Sequence, residues 1–138
     1  MEPQIIDFYN DQFKNLHQLM IISIDSIGSH YDISKIIHYL NKGKFKYNYL
    51  KKNKWCYFNN SSKKWELLYN DIKIKEEINH LIILFEKYAQ KYKQLRDKGK
   101  YYFFLHTNCL KIISKLKSSN YKEQIVKECK ILFYCKTF

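Results

Sequence analysis

Lys54-Trp55-Cys56-Tyr57-Phe58-Asn59-Asn60-Ser61-Ser62-Lys63-Lys64-Trp65-Glu66-Leu67 carries both tryptophans of the chain. Trp55 and Tyr57 alternate with Cys56 and Phe58, and Trp65 and Leu67 flank Glu66. A period of two marks a half-buried strand. The four polar residues between the arms tolerate turn and left-handed conformations. The stretch therefore predicts an antiparallel hairpin. A lone hairpin is marginal in water, so this one must lean on other elements. Both indoles are expected to serve as core that bridges it to helices.

The flanking segments supply those helices. Ile5, Phe8, Phe13, Leu16 and Met20 have helical spacing, with Pro3 suited to a first turn, and predict a helix over 4–22. Ser26-Ile27-Gly28-Ser29 is a loop. A second helix follows, with Ser29 or Asp32 as N-cap and Ile33, Ile36, Ile37 and Leu40 as its buried stripe. Gly43 ends it. Phe45 to Leu50 alternates as a strand, and Lys51-Lys52-Asn53 turns into the hairpin. Beyond it, Asp71 is placed as the cap of a helix from Ile72 to about Lys98, with Ile74, Ile78, Leu81, Ile82, Phe85, Tyr88 and Ala89 inward. Basic residues fill its last turns, where they complement the helix dipole. Two more helices cover Tyr101 to Leu116 and Tyr121 to about Phe133. The expected fold class is α+β, mostly α: five helices around a small antiparallel sheet, in a winged-helix-like arrangement of helix two and the hairpin. Residues 1–28 form an N-terminal helix and loop, and 29–138 the main module of a single compact domain.

Charge points to the partner. The chain has 138 residues and a net charge of +12, nearly all of it lysine. Such a balance favours phosphates, anionic surfaces or an acidic partner. Arg96 is the only arginine, which argues against base-specific reading, because guanine is usually read by arginine. Lysine, isoleucine, asparagine and tyrosine are abundant, as an A/T-rich coding sequence produces, so part of the basicity is compositional. Lys51, Lys52 and Lys54 before the first arm, and Lys63 and Lys64 in the turn, are the candidate DNA-contacting residues.

Other chemistry finds no support. With three glycines there is no G-x-x-x-x-G-K-[ST] and no G-x-G-x-x-G. No D-x-D pair offers two-metal ligands. His106-x-x-Cys109 with Cys129 and Cys135 has the residue types of a zinc site, but no C-x-x-C is present and Cys109 and Cys129 sit in apolar stripes, so buried thiols are expected instead. Four scattered cysteines do not make a secreted disulfide scaffold. There is no signal-peptide pattern, and the most apolar run, Leu81 to Phe85, falls far short of the ~20 residues of a membrane span. The expectation is a soluble intracellular protein with no cofactor, no metal and no membrane contact.

The block Ser29-His30-Tyr31-Asp32-Ile33-Ser34-Lys35-Ile36-Ile37, the aromatic strand, Lys54-Trp55-Cys56-Tyr57-Phe58 and Lys63-Lys64-Trp65-Glu66 together resemble a module of viral primase-helicases. That module lies between primase and superfamily 3 helicase in replication proteins of large DNA viruses of poxvirus and giant-virus type, and in related phage and plasmid primases. Its pattern is a histidine-led helix, a W-Y-x-[FY] strand, a short turn and a K/R-x-W-x-[EV] strand. The tail from Ile112 to Leu116 and from Tyr121 to Tyr134 resembles the end of the module. The likeness covers about residues 29–138. It implies a non-catalytic accessory module linking primase and helicase, with weak, sequence-independent DNA contact, helicase or primase partners, and the host cytoplasm as its place. The family's Walker loop and primase carboxylates have no counterparts here, so the expectation is a fragment, a split gene product or a stand-alone relic. A protein-interaction or oligomerisation domain with an acidic partner and no DNA binding is the alternative.

Overall fold

The computed structural model describes residues 11–48 and 54–135. Pro3, Ile5 and Phe8, and likewise Tyr49, Leu50, Lys51 and Lys52, lie outside the described residues. The order is α1 (Asp11–Asp25), α2 (His30–Leu40), β1 (Phe45–Asn48), β2 (Lys54–Asn59), β3 (Lys64–Leu68), α3 (Ile72–Gln94), a 3-10 turn (Arg96–Lys98), α4 (Lys100–Leu116) and α5 (Ser119–Leu132). Among the described residues this is an α+β, mostly α arrangement of five helices and one three-stranded antiparallel sheet.

Each helix buries one stripe. Leu16, Met20 and Ile24 face the core from α1, at steps of four, whereas Ile22 lies off that stripe and is exposed. Helix α2 buries Ile33, Ile36 and Ile37, and Leu40 at its end is half exposed. Ser29 is the cap of α2: its hydroxyl accepts the Asp32 N–H at 3.2 Å. At α3 the neighbour of the expected residue does the capping. Asn70 Oδ1 accepts the Ile72 N–H at 3.0 Å, and Asp71 makes no side-chain cap bond. The α3 helix stops at Gln94, where Leu95 leads into the 3-10 turn, and α4 returns antiparallel beside it. Ser118 caps α5, which therefore starts two residues before Tyr121.

The loop between α1 and α2 is gripped by side chains from the far end of the chain. Ile27 and Gly28 both take left-handed backbone, at φ +55° and +72°. The carbonyls there are satisfied from α4 and α5: Asn108 Nδ2 donates to Ile24 O at 3.0 Å, Lys115 Nζ to Ile27 O at 2.8 Å, and the Tyr121 hydroxyl to Gly28 O. Helix-end carbonyls left without intrahelical partners are costly when enclosed. These bonds fix α1–α2 against α4–α5, and those to Ile24 and Gly28 are buried.

The sheet is a meander in the order β1-β2-β3. Tyr47 pairs with Trp55, and Trp55 with Leu68; Phe58 pairs with Trp65. The free side of β1 is taken by the segment after α5, where Tyr47 N–H donates to Phe133 O at 3.0 Å and Cys135 N–H to Tyr47 O at 2.9 Å. Directly opposed residues share a face and neighbours alternate. Phe45, Tyr47, Trp55 and Tyr57 therefore point inward, and Lys46, Cys56, Phe58, Trp65 and Leu67 outward. The inward set meets Phe133 from the end of α5, with ring centroids 5.9 Å from Phe45 and 5.8 Å from Trp55.

This register corrects one expectation. Trp55 is core, 2 % exposed, but Trp65 is not. Its partner across the strands is Phe58, three residues from Trp55. An odd offset in a period of two puts the two indoles on opposite faces.

Candidate nucleic-acid interface

The outward face of the sheet is built from the same alternation that fills the core. Along β1, Phe45 and Tyr47 turn in, so Lys46 turns out. Along β2, Cys56 and Phe58 turn out between Trp55 and Tyr57. Pairing then sets Lys46, Cys56 and Leu67 in one row and Phe58 and Trp65 in the next. Lys44 closes the second row through its carbonyl, which accepts the Phe58 N–H at 2.9 Å.

Aromatic and cationic groups interleave across these rows. Lys46 Nζ lies 4.1 Å from the centre of the Trp65 ring, and Phe58 meets Trp65 edge-on at 5.4 Å between centroids. Lys54 Nζ stands 5.5 Å from the ring of Tyr69, which is 83 % exposed. Between Asn41 and Tyr69 the sequence holds eight lysines and a single acid, Glu66. Glu66 is engaged by Asn59, whose Nδ2 donates to Oε2 at 3.2 Å.

The turn shapes the tip. Asn59 Oδ1 accepts the N–H groups of Ser61 and Ser62 at 2.9 and 3.3 Å, and Lys63 takes φ +58°. Lys63 and Lys64 are both exposed there. Of the five candidate lysines, Lys54, Lys63 and Lys64 thus sit on this sheet or its tip. Lys51 and Lys52 lie outside the described residues.

Lys46, Phe58 and the outward Trp65 were missed at the sequence level. The signal was present in the alternation of Lys46 with Phe45 and Tyr47, but only the strand register assigns Trp65 its face.

A cleft of about 230 Å³ opens beside Trp65, lined by His38, Lys42, Gly43, Lys46 and Tyr134 among others. Burial, and then Lys42, hold His38 below the usual imidazole range. Its positive charge at neutral pH therefore comes from Lys42 and Lys46. The chemistry available on this face is phosphate neutralisation by lysine and stacking on exposed rings.

The remaining candidate chemistry lies elsewhere. His106 and Cys109 are buried in α4, and Cys129 in α5. Among the described residues no three His, Cys, Asp or Glu side chains group as a metal would require. Burial pushes the Cys109 thiol up to about 12; burial and then Glu128 push Cys129 up to about 12. Thiolate is the reactive form. A thiol reagent at about pH 8 is expected to label half-buried Cys135 in the native protein, and Cys56, Cys109 and Cys129 only after denaturant is added. Prompt native labelling of all four would contradict this burial. His30, at the start of α2, packs against Tyr121 with centroids 5.3 Å apart. No described helix is long and apolar enough to cross a membrane.

No protein-family model and no curated protein matches this chain.

Proposed function

We propose that this chain is a non-catalytic accessory module of a DNA-replication primase-helicase, which holds DNA weakly on the outward face of its sheet. The observation that carries the reading is the Lys46–Trp65–Phe58 cluster with Lys54 and Tyr69 beside it. Trp65 is a large aromatic left half-buried on an outer sheet face, with Lys46 over its ring. It gains from an incoming base, whose π-face stacks on it without regard to sequence. The lysines neutralise the phosphates between stacked bases. With Arg96 far along the chain, on the α3–α4 connection, the sheet face has no guanidinium to read guanine. Unpaired strands suit this surface better than duplex, because only they expose base faces.

The resemblance to the viral primase-helicase module supports the replication setting, with helicase or primase domains as the neighbouring partners. The role of the face is then to hold single strand near a motor carried by another domain or subunit.

Fluorescence anisotropy with a labelled oligothymidine over a salt series tests the reading. Micromolar binding at low salt is expected, with log Kd against log salt changing by about 2 to 3 per decade, the range for three or four phosphate contacts at ~0.7 each. A Lys46/Lys54/Lys63/Lys64→Ala variant, which removes the lysines of the sheet face and its tip, should lose most of it. No binding at low salt would overturn the proposal.

A further inference from the structure

We infer that the groove between α3 and α4 is a docking site for an acidic amphipathic helix of a partner protein. This surface is separate from the sheet face and does not depend on the reading given to that face. The groove encloses about 470 Å³. Ala89, Leu110 and Ile113 are the apolar members of its lining. Phe103, His106, Leu110 and Ile113 recur at steps of three and four, so they line one side of α4. Phe103 and Leu110 are each about half exposed, at 51 and 50 %. A strip of apolar side chains between two antiparallel helices is a seat that a third helix fills with side chains at i, i+3 or i+4, and i+7.

Charge selects the occupant. One end of the groove holds Lys93, Arg96 and His106, and Lys98 and Lys100 lie just beyond in sequence. The Arg96 guanidinium rests on the Phe103 ring, 4.9 Å from its centre. Stacking restrains the fork before a carboxylate arrives, which lowers the cost of binding one. Burial, then Arg96 and Lys93, hold His106 below the usual imidazole range, so the positive charge at this end comes from Lys93 and Arg96. Nucleic acid fits the groove less well. Glu86 lines it, and its apolar members, Ala89, Leu110 and Ile113, offer a phosphate backbone no partner. A peptide helix with aliphatic side chains along one face and Asp or Glu at the end nearest Arg96 satisfies both features.

Selection of a displayed library of random 16-residue peptides on the full chain tests this. The expected winners carry aliphatic or aromatic residues at helical spacing together with an excess of Asp and Glu, and bind with Kd on the order of micromolar. Leu110→Asp and Arg96→Glu, both on exposed helix or turn surface, should each weaken those peptides by about tenfold or more, and Leu110→Asp should leave oligothymidine binding unchanged. Winners without acidic excess, winners indifferent to Leu110→Asp, or no winners at all would overturn the inference. So would competition by oligothymidine for the groove, or a self-association of the chain that Leu110→Asp abolishes, since nucleic acid or a second copy would then be the occupant.

Discussion

Trp55→Ala is expected to lower the unfolding free energy by about 4 kcal/mol, and Trp65→Ala by about 1 kcal/mol. The difference follows from the faces the two indoles occupy. Trp55 is 2 % exposed and touches Phe45, Tyr47 and Phe133, with centroids 6.0, 5.0 and 5.8 Å away. Truncating an enclosed tryptophan removes its transfer energy and leaves a cavity, together roughly 3–5 kcal/mol. For a domain of this size that lowers Tm by about 15 °C, and total stability is itself only about 5–15 kcal/mol. Trp65 gives up a cation–π contact with Lys46 and an edge contact with Phe58, each about 0.5–1 kcal/mol on an exposed face. Thermal melts of the two variants decide the matter. Equal losses would mean that Trp65 is core after all.

Gly28→Ala is expected to cost about 3 kcal/mol, although it adds only one methyl. A Cβ at Gly28 would stand 2.5 Å from Tyr121 Oη and 3.1 Å from Ile112 Cγ1, at φ +72°. The backbone conformation alone costs an L side chain about 1 kcal/mol. Ile112 is wholly buried in α4 and cannot withdraw. Tyr121 must therefore move and abandon the hydroxyl bond that holds the loop to α5, for a further 1–3 kcal/mol. The Tyr121→Phe background separates these causes. Without Oη the nearest clash is gone, so Gly28→Ala should cost only about 1–2 kcal/mol there. An unchanged cost in both backgrounds would show that the hydroxyl plays no part.

The legible parts of the fold are those written in short-range pattern. Steps of three and four located every helix, and alternation located the hairpin and β1. Caps were legible to within a residue or two, because Asn70 and Asp71, or Ser118 and its neighbours, all have side chains able to accept a helix N–H. Long-range facts were not legible. Nothing local to Gly28 announces that Tyr121, 93 residues on, donates to its carbonyl. Trp55 and Trp65 look alike in sequence, and only the pairing of Phe58 with Trp65 separates a core residue from a surface one. The same pairing moved the weight of the candidate site. Reasoning from lysine runs found the tip at Lys63 and Lys64, yet the rings that give those lysines something to work with came from register. The groove between α3 and α4 was hidden for a related reason: Ala89 reads as one more small apolar residue in a stripe until a second helix is laid beside it.

If the sheet face holds single-stranded DNA as proposed, Trp65 and not Trp55 meets it. Two single-tryptophan proteins test it directly, Trp55→Phe retaining Trp65 and Trp65→Phe retaining Trp55, each titrated with oligothymidine at low salt while indole emission is followed. Trp65 emission is expected to be quenched as strand is added, and that of enclosed Trp55 to stay steady. Steady emission from Trp65 while anisotropy reports a bound strand would contradict it.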